Sequence, residues 1–220
     1  MIYLYSGTPG SGKSYHAVKD ALDKLRRKER NRVIANFPLS VPAALADRFE
    51  YWDNPDVTIE RLISYARARH AFGVEGQTLV ILDEAQCLFN SRDWNSGSNK
   101  RMEWIKFFSQ HRKLGFNFIL VAQFDRMLDR QIRCLIEYDV KHLKVNNGFF
   151  AFLPFTCFLA VEKWYGQNMK LGSQVLVYRP KIAKLYDSYA LFATEDAQAG
   201  GEGPAQREGT RMPERLPGAS

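Results

Sequence analysis

The sequence predicts an α/β fold in which a mostly parallel central sheet is flanked by helices, with a strand-rich, antiparallel-looking extension towards the C-terminus. Three observations carry that expectation. Short apolar runs alternate with amphipathic stretches of helical period, the pattern of βα units. The run Thr78-Leu79-Val80-Ile81-Leu82 is continuously apolar, as a strand covered on both faces must be. Between the first strand and the first helix stands Gly7-Thr8-Pro9-Gly10-Ser11-Gly12-Lys13-Ser14, which fits G-x-x-x-x-G-K-[ST] at every position and has the strand–loop–helix setting that this motif requires.

Taken in order, residues 2–6 predict the first strand, and Tyr15 to Arg30 a helix with Val18, Ala21, Leu22 and Leu25 on one face. That helix ends in a basic patch, Lys24 to Arg32, which complements the helix dipole, a specific anionic partner being the alternative reading. Val33 to Phe37 predicts a second strand closed by Pro38, followed by a helical segment from Pro42 to Phe49 and a loop at 53–56. Thr58 is the expected cap of a helix carrying Ile59, Leu62, Ile63 and Ala66, ended by Gly73 and Gly76. After the strand at 78–82 come a helix, a polar loop (Ser91 to Lys100) and an amphipathic helix from Met102 to Leu114. Phe116 to Val121 predicts another buried strand, residues 125–137 a helix, and 140–177 strands. Phe149 to Val161, interrupted by Pro154 and Thr156, is too short to span a bilayer as a helix and suits two strands joined by a turn. Tyr178 to Phe192 fits a final helix or a loop. Residues 1–193 are expected to form the folded domain, with the extension starting near 140, and the Gly/Pro-rich stretch 194–220 a disordered tail or linker.

The chemistry follows from what the strands deliver to one edge. Glycines let backbone N–H groups converge on phosphate oxygens, and a helix N-terminus adds partial positive charge. Gly7, Pro9, Gly10, Ser11, Gly12, Lys13, Ser14 and Tyr15 are the candidate nucleotide contacts, with the Lys13 ammonium reaching the β- and γ-phosphates. Ser14 and Asp83 are the candidate Mg²⁺ ligands, since Asp83 follows an apolar strand at the position that holds the metal in such sites. Glu84, beside it, is placed to polarise a water for attack on the γ-phosphate. Gln123 ends the strand expected between the other two, where a polar side chain senses the γ-phosphate or orients that water. A transition-state cation is needed as well, often from a neighbouring subunit. Arg92, Arg101, Arg112, Arg130 and Arg133 are candidates, with Arg112 ranked first. These elements place the chain among P-loop NTPases of the RecA/ASCE-like kind. ATP is favoured over GTP because Asn99-Lys100-Arg101-Met102 fails the guanine motif [N/T]-K-x-D at its last position.

Composition agrees with a soluble globular protein: 45% of residues are hydrophobic and 25% charged. The net charge is +7. Of the 31 basic and 24 acidic residues, the stretch from Thr194 takes three and five, leaving 28 against 19 in the folded part, which favours an anionic partner. Cys87, Cys134 and Cys157 lie far apart and outside C-x-x-C pairs, which argues against a disulfide framework or a zinc site. No signal peptide is visible, because the Gly-rich motif occupies that place.

With these residues in place, the chain resembles the zonular occludens toxin (Zot) family, whose members include filamentous-phage assembly ATPases. The resemblance covers roughly residues 1–193. It is carried by the Gly7–Ser14 motif, Ile81-Leu82-Asp83-Glu84-Ala85-Gln86, His111-Arg112-Lys113-Leu114-Gly115-Phe116-Asn117, Ala122-Gln123 and Leu185-Tyr186-Asp187-Ser188. The resemblance implies an ATP- and Mg²⁺-dependent motor for virion assembly and extrusion, acting in the bacterial host cytoplasm at the inner membrane. It further implies a homo-oligomer (a hexameric ring is one form), with phage DNA and coat or assembly proteins as partners. Family members usually continue into a membrane-spanning helix that this chain lacks, which suggests a cytoplasmic domain of a longer protein or a shortened relative. Nothing in the residues supports a toxin role. A small-molecule P-loop kinase, a DEAD-type helicase and a nucleotide-regulated assembly module without turnover are the rival readings. The first lacks an arginine-rich lid, and the second lacks a second RecA-like domain.

Overall fold

The computed structural model describes residues 1–90, 98–145, 155–167 and 169–186. They fall in one compact unit, Met1–Ser188, while a second unit, Tyr189–Ser220, lies outside the described residues. So do the expected tail from residue 194, most of the polar loop from Ser91, and residues 149–154 of the expected strand pair.

Eight strands make one sheet: β1 (Ile2–Ser6), β2 (Arg32–Ala35), β3 (Phe49–Tyr51), β4 (Thr78–Leu82), β5 (Phe116–Val121), β6 (Tyr138–Lys144), β7 (Cys157–Trp164) and β8 (Met169–Val177). Their order is β3-β2-β4-β5-β1-β6-β7-β8. From β3 to β6 every pair is parallel, and β7 and β8 add on in antiparallel sense. The expected extension is therefore a continuation of the main sheet: its first strand, β6, begins at Tyr138 and runs parallel to β1, with Tyr3 opposite Tyr138. β5 lies between β4 and β1, as the sequence pattern anticipated.

Strand alternation splits the core into two layers. On one face Leu4, Ile34, Val80, Leu82, Phe118 and Leu120 meet α2 (Ile59–Arg69) and α3 (Ser98–Gln110) through Leu62, Trp104, Phe107 and Phe108. On the other, Tyr5, Val33, Ala35, Ile81, Ile119 and Val121 meet α1 (Lys13–Arg27) through Ala17, Val18, Ala21 and Leu25. Each fully buried Leu or Ile stabilises the fold by about 1.5–3 kcal/mol relative to leaving it exposed.

Several local expectations change. The Pro42–Phe49 segment is a 3₁₀ helix, Ala43–Arg48, running into the short strand β3. Thr58 does cap α2, its hydroxyl accepting from the Arg61 N–H at 3.2 Å. The helix expected over 125–137 reduces to a 3₁₀ turn, Asp125–Met127, and the single turn α4 (Arg130–Arg133). Asp129 explains the second start, since its carboxylate accepts from the N–H groups of Gln131 and Ile132. After Asp83-Glu84 there is a 3₁₀ turn, Ala85–Cys87. The last described helix, α5 (Pro180–Ala183), is one turn long, and residues 187–192 of the unresolved helix-or-loop expectation lie outside the described residues. In the basic patch, Lys24 donates to the Gly76 carbonyl and Arg32 to that of Asp47 at 3.1 Å, so both ends of the patch tie structure together.

Candidate functional site

The site forms where β1, β4 and β5 end, at the edge of the sheet where open α/β folds bind ligands. Between β1 and α1 the chain turns back through Gly7, whose N–H donates to the Gln123 carbonyl at 3.2 Å. Gly12 stands immediately before α1 in the left-handed region, at φ 93°. Two glycines here answer to packing as well as to phosphate access. A Cβ on Gly7 would lie 2.5 Å from the His142 backbone oxygen of β6, and one on Gly12 2.5 Å from the Phe158 ring of β7. The loop is thus pressed against the extension from behind.

Lys13 opens α1 and folds back across the loop, donating from Nζ to the carbonyls of Gly7 at 2.9 Å and Thr8 at 3.2 Å. Burial lowers its pKa, against the opposing pull of Asp83 and Glu84. Ser14, one residue on, donates from Oγ to Asp83 Oδ2 at 2.8 Å. The Ser11 hydroxyl is buried without a protein partner. Thr8, Pro9 and Gly10 are exposed at the loop's tip.

Asp83 is itself 5% exposed and held from three sides. Its Oδ2 also accepts from the Tyr186 hydroxyl at 3.0 Å, and its Oδ1 from the Glu84 N–H at 3.0 Å. Its backbone is clamped by Asn36 at the end of β2, which accepts from the Asp83 N–H at 2.6 Å and donates to the Asp83 carbonyl at 2.8 Å. Glu84 takes φ 47° and ψ 48°, and it is the one non-glycine residue with positive φ among those described. That conformation costs a β-carbon-bearing residue on the order of 1–2 kcal/mol, and such strain persists where surrounding structure imposes it. The Glu84 carboxylate accepts from the Gln86 side chain.

The donor set fits a small, hard divalent cation. A serine hydroxyl and a carboxylate, both oxygen ligands, meet at the start of α1. The Gly7 and Gly12 backbones and the Lys13 ammonium, held by the loop carbonyls of Gly7 and Thr8, fit a polyphosphate alongside.

Lys13, Ser14, Asp83 and Glu84 are therefore brought together, and Gln123 joins them through its place at the end of β5 and its carbonyl on Gly7. Two candidate side chains are engaged elsewhere. Arg112 sits at the opposite sheet edge, ion-paired with Glu137, whose Oε1 accepts from the Ile2 N–H at the start of β1. It cannot serve the site of its own chain from there. Tyr15 faces β8: its hydroxyl donates to the Val177 carbonyl at 2.9 Å and accepts from the Arg179 N–H at 3.0 Å, so both of its hydrogen-bonding capacities are taken.

Asn36 and Tyr186 complete the site and were not marked as functional by the sequence pattern. For Asn36 a signal existed, since an amide inside the apolar run 33–37 needs a buried partner. Tyr186 stood only within the resemblance.

Behind the loop lies a buried polar chain. His142 Nδ1 approaches the Ser6 carbonyl at 3.3 Å, and its Nε2 lies 2.8 Å from His16 Nδ1. The His16 Nε2 is 3.5 Å from Asp20, which also accepts from the Tyr5 hydroxyl. Burial pushes the His16 pKa down to about 4 and that of His142 to about 3, and raises Asp20 to about 6.

Known proteins are similar to this chain. A Gene 1 protein of Escherichia phage If1 is 27% identical over 151 residues, covering 65% of this chain and 41% of that protein. The Gene 1 protein of Enterobacteria phage I2-2 is 30% identical over 146 residues, covering 63% of this chain and 39% of that protein. The chain therefore spans about two fifths of the length of these relatives. Among solved structures, the N-terminal domain of zonular occludens toxin from Neisseria meningitidis superposes with a TM-score of 0.57 at 21% identity, over 84% of this chain and 98% of that one. The genome packaging NTPase B204 of Sulfolobus turreted icosahedral virus 2 gives 0.52 at 14% identity, over 81% and 96%. These likenesses show the P-loop NTPase fold. The family model described as Zonular occludens toxin (Zot) matches residues 1–192, and the chain belongs to that family.

Proposed function

We propose that this chain is the ATP-hydrolysing motor domain of a filamentous-phage assembly and extrusion machine, working at the cytoplasmic face of the host inner membrane. The observation that carries the reading is the meeting of Ser14 and Asp83 at 2.8 Å beside Lys13 and the strained Glu84. The phage relatives and the family supply the setting.

In this reading the loop N–H groups and the α1 N-terminus hold the triphosphate of ATP. Lys13 gives up the Gly7 and Thr8 carbonyls for the β- and γ-phosphates. Ser14 and Asp83 hold Mg²⁺, which when bound offsets phosphate charge. Glu84 takes the proton of a water that attacks the γ-phosphorus as the bond to the β–γ bridging oxygen breaks, leaving ADP and phosphate. Gln123 orients that water. The adjoining arginine comes from a neighbouring subunit and is worth roughly 10³–10⁵ in rate. Arg130 suits this better than Arg112, being exposed on the segment that leaves the site end of β5. A homo-oligomer, a hexameric ring among the forms open to it, follows from that requirement. Phage DNA, coat and assembly proteins are the proposed partners, with membrane attachment outside these residues. Among the described residues no helix is long and apolar enough to cross a membrane.

The test is phosphate release with and without single-stranded DNA, alongside mass by light scattering. Glu84→Gln should bind ATP with turnover reduced by about 10²–10⁴. Full turnover by that variant, or phosphoryl transfer to an acceptor in place of water, would overturn the hydrolytic reading. Nucleotide-driven assembly without phosphate release would make the chain a regulated assembly module instead.

A further inference from the structure

We infer that Tyr186 is a positioning residue for the acidic half of the site: its hydroxyl, acting with Ser14, fixes the Asp83 carboxylate in the orientation that receives a divalent cation. The inference rests on the nucleotide–metal reading of Ser14 and Asp83 given above. It assigns a task to a residue some hundred positions away in sequence, on the far side of the extension.

The geometry is specific. Asp83 Oδ2 accepts two hydrogen bonds, from Ser14 at 2.8 Å and from Tyr186 at 3.0 Å, while Oδ1 accepts the Glu84 N–H. A serine hydroxyl can donate its proton to a carboxylate and still offer a lone pair to a cation. The tyrosine hydroxyl serves as a donor to the carboxylate. Donors of this kind orient ligating carboxylates, and their removal typically weakens metal binding about 10–100-fold.

Tyr186 is also held where it stands. It bridges Leu39 in antiparallel sense, and the Ser40 N–H donates to the neighbouring Leu185 carbonyl at 2.9 Å. Its ring packs edge-on against the buried Phe37, with centroids 4.9 Å apart. A phenolic hydroxyl is protonated at neutral pH and able to donate. The turn after α5 thus closes over the segment following β2 and reaches the carboxylate at the end of β4.

Tyr186→Phe keeps the ring and removes only the donor. The measurement is Mn²⁺ affinity by electron paramagnetic resonance in the presence of saturating ADP, with ADP affinity in EDTA and the melting temperature as companions. We expect Mn²⁺ binding weakened about tenfold, with metal-free ADP affinity unchanged. Phe37→Leu serves as the packing control: it loosens the ring's support, lowers the melting temperature and leaves Mn²⁺ affinity within about twofold. Mn²⁺ affinity unchanged in Tyr186→Phe would overturn the inference alone. So would equal losses in both variants that track their stability, since that would reduce Tyr186 to packing. Absence of ADP-dependent Mn²⁺ binding in the unsubstituted protein would overturn the metal-site reading and this inference together.

Discussion

Asn36 and Asp83 exchange two hydrogen bonds across the β2–β4 boundary, side-chain amide to backbone in both directions, at 2.6 and 2.8 Å. The pair extends the parallel ladder by one rung beyond Ala35 and Ile81, using a side chain where the strand has ended. It also sets the direction from which the Asp83 carboxylate faces Ser14.

Replacing Asn36 by Leu preserves bulk and strands the Asp83 N–H and C=O in a site that is 1% exposed at Asn36. Two buried backbone groups without partners cost about 1–3 kcal/mol each. We expect a loss of about 2–5 kcal/mol in urea unfolding, together with weaker Mg²⁺-dependent nucleotide binding. A stability within 0.5 kcal/mol of the parent (roughly the noise of surface substitutions) would mean that the clamp is dispensable.

The two tight glycines should fail differently. Gly12 meets the Phe158 ring, a side chain, whereas Gly7 meets the His142 carbonyl, which no substitution removes. Gly12→Ala therefore couples to Phe158→Ala: the double variant is less destabilised than the sum of the single ones by about 1 kcal/mol or more. A cycle pairing Gly7→Ala with a side-chain replacement at His142 shows no such relief. Thermal unfolding of both cycles decides this, and equal coupling in the two would contradict the packing derived for the loop.

Glu84 offers a test of stored strain. Its left-handed backbone is easy for glycine and costly for glutamate, so Glu84→Gly should stabilise the protein by about 1 kcal/mol while hydrolysis collapses. A destabilised Glu84→Gly would show that the Gln86 contact outweighs the backbone cost.

How far the sequence carried this picture depends on range. Lys13 and Ser14 sit in a contiguous motif, and Asp83 ends an apolar run, so local pattern was enough to find them. The placement of β5 between β4 and β1 followed from the same class of fold. What stayed hidden was tertiary. Nothing near Tyr186 in sequence announces Asp83, and nothing near Phe158 announces Gly12. Arg112 shows the converse: it precedes a site-bearing strand but lies at that strand's start, beside Glu137, at the edge of the sheet away from its own chain's site. The residues 125–137 misled because Asp129 restarts the chain as a short separate turn.

The His16–His142 pair gives the remaining prediction, a pH dependence of stability. Both pKa values are pushed down by burial, to about 4 and about 3 from 6.5, so the folded state keeps both rings neutral. The unfolded chain takes up protons below pH 6.5 that the folded chain refuses, and stability is lost as the pH falls from there towards 4. Lys19 and Lys13 add to the depression, at His16 and His142 respectively, and Asp23 opposes it at His16. Asp20 acts in the opposite sense: with its pKa raised to about 6, it binds a proton in the folded state first and returns part of the loss. Two histidine protons against one from Asp20 leave a net slope of about 1.4 kcal/mol per pH unit near pH 5 from this cluster. Urea unfolding at pH 7.5 and 5.0 should show the decline, and His16→Gln with His142→Gln should lessen it, leaving the part that comes from His111, whose pKa burial also lowers to about 4, set against Asp20. An unchanged slope in the double variant would place the acid sensitivity outside this pair.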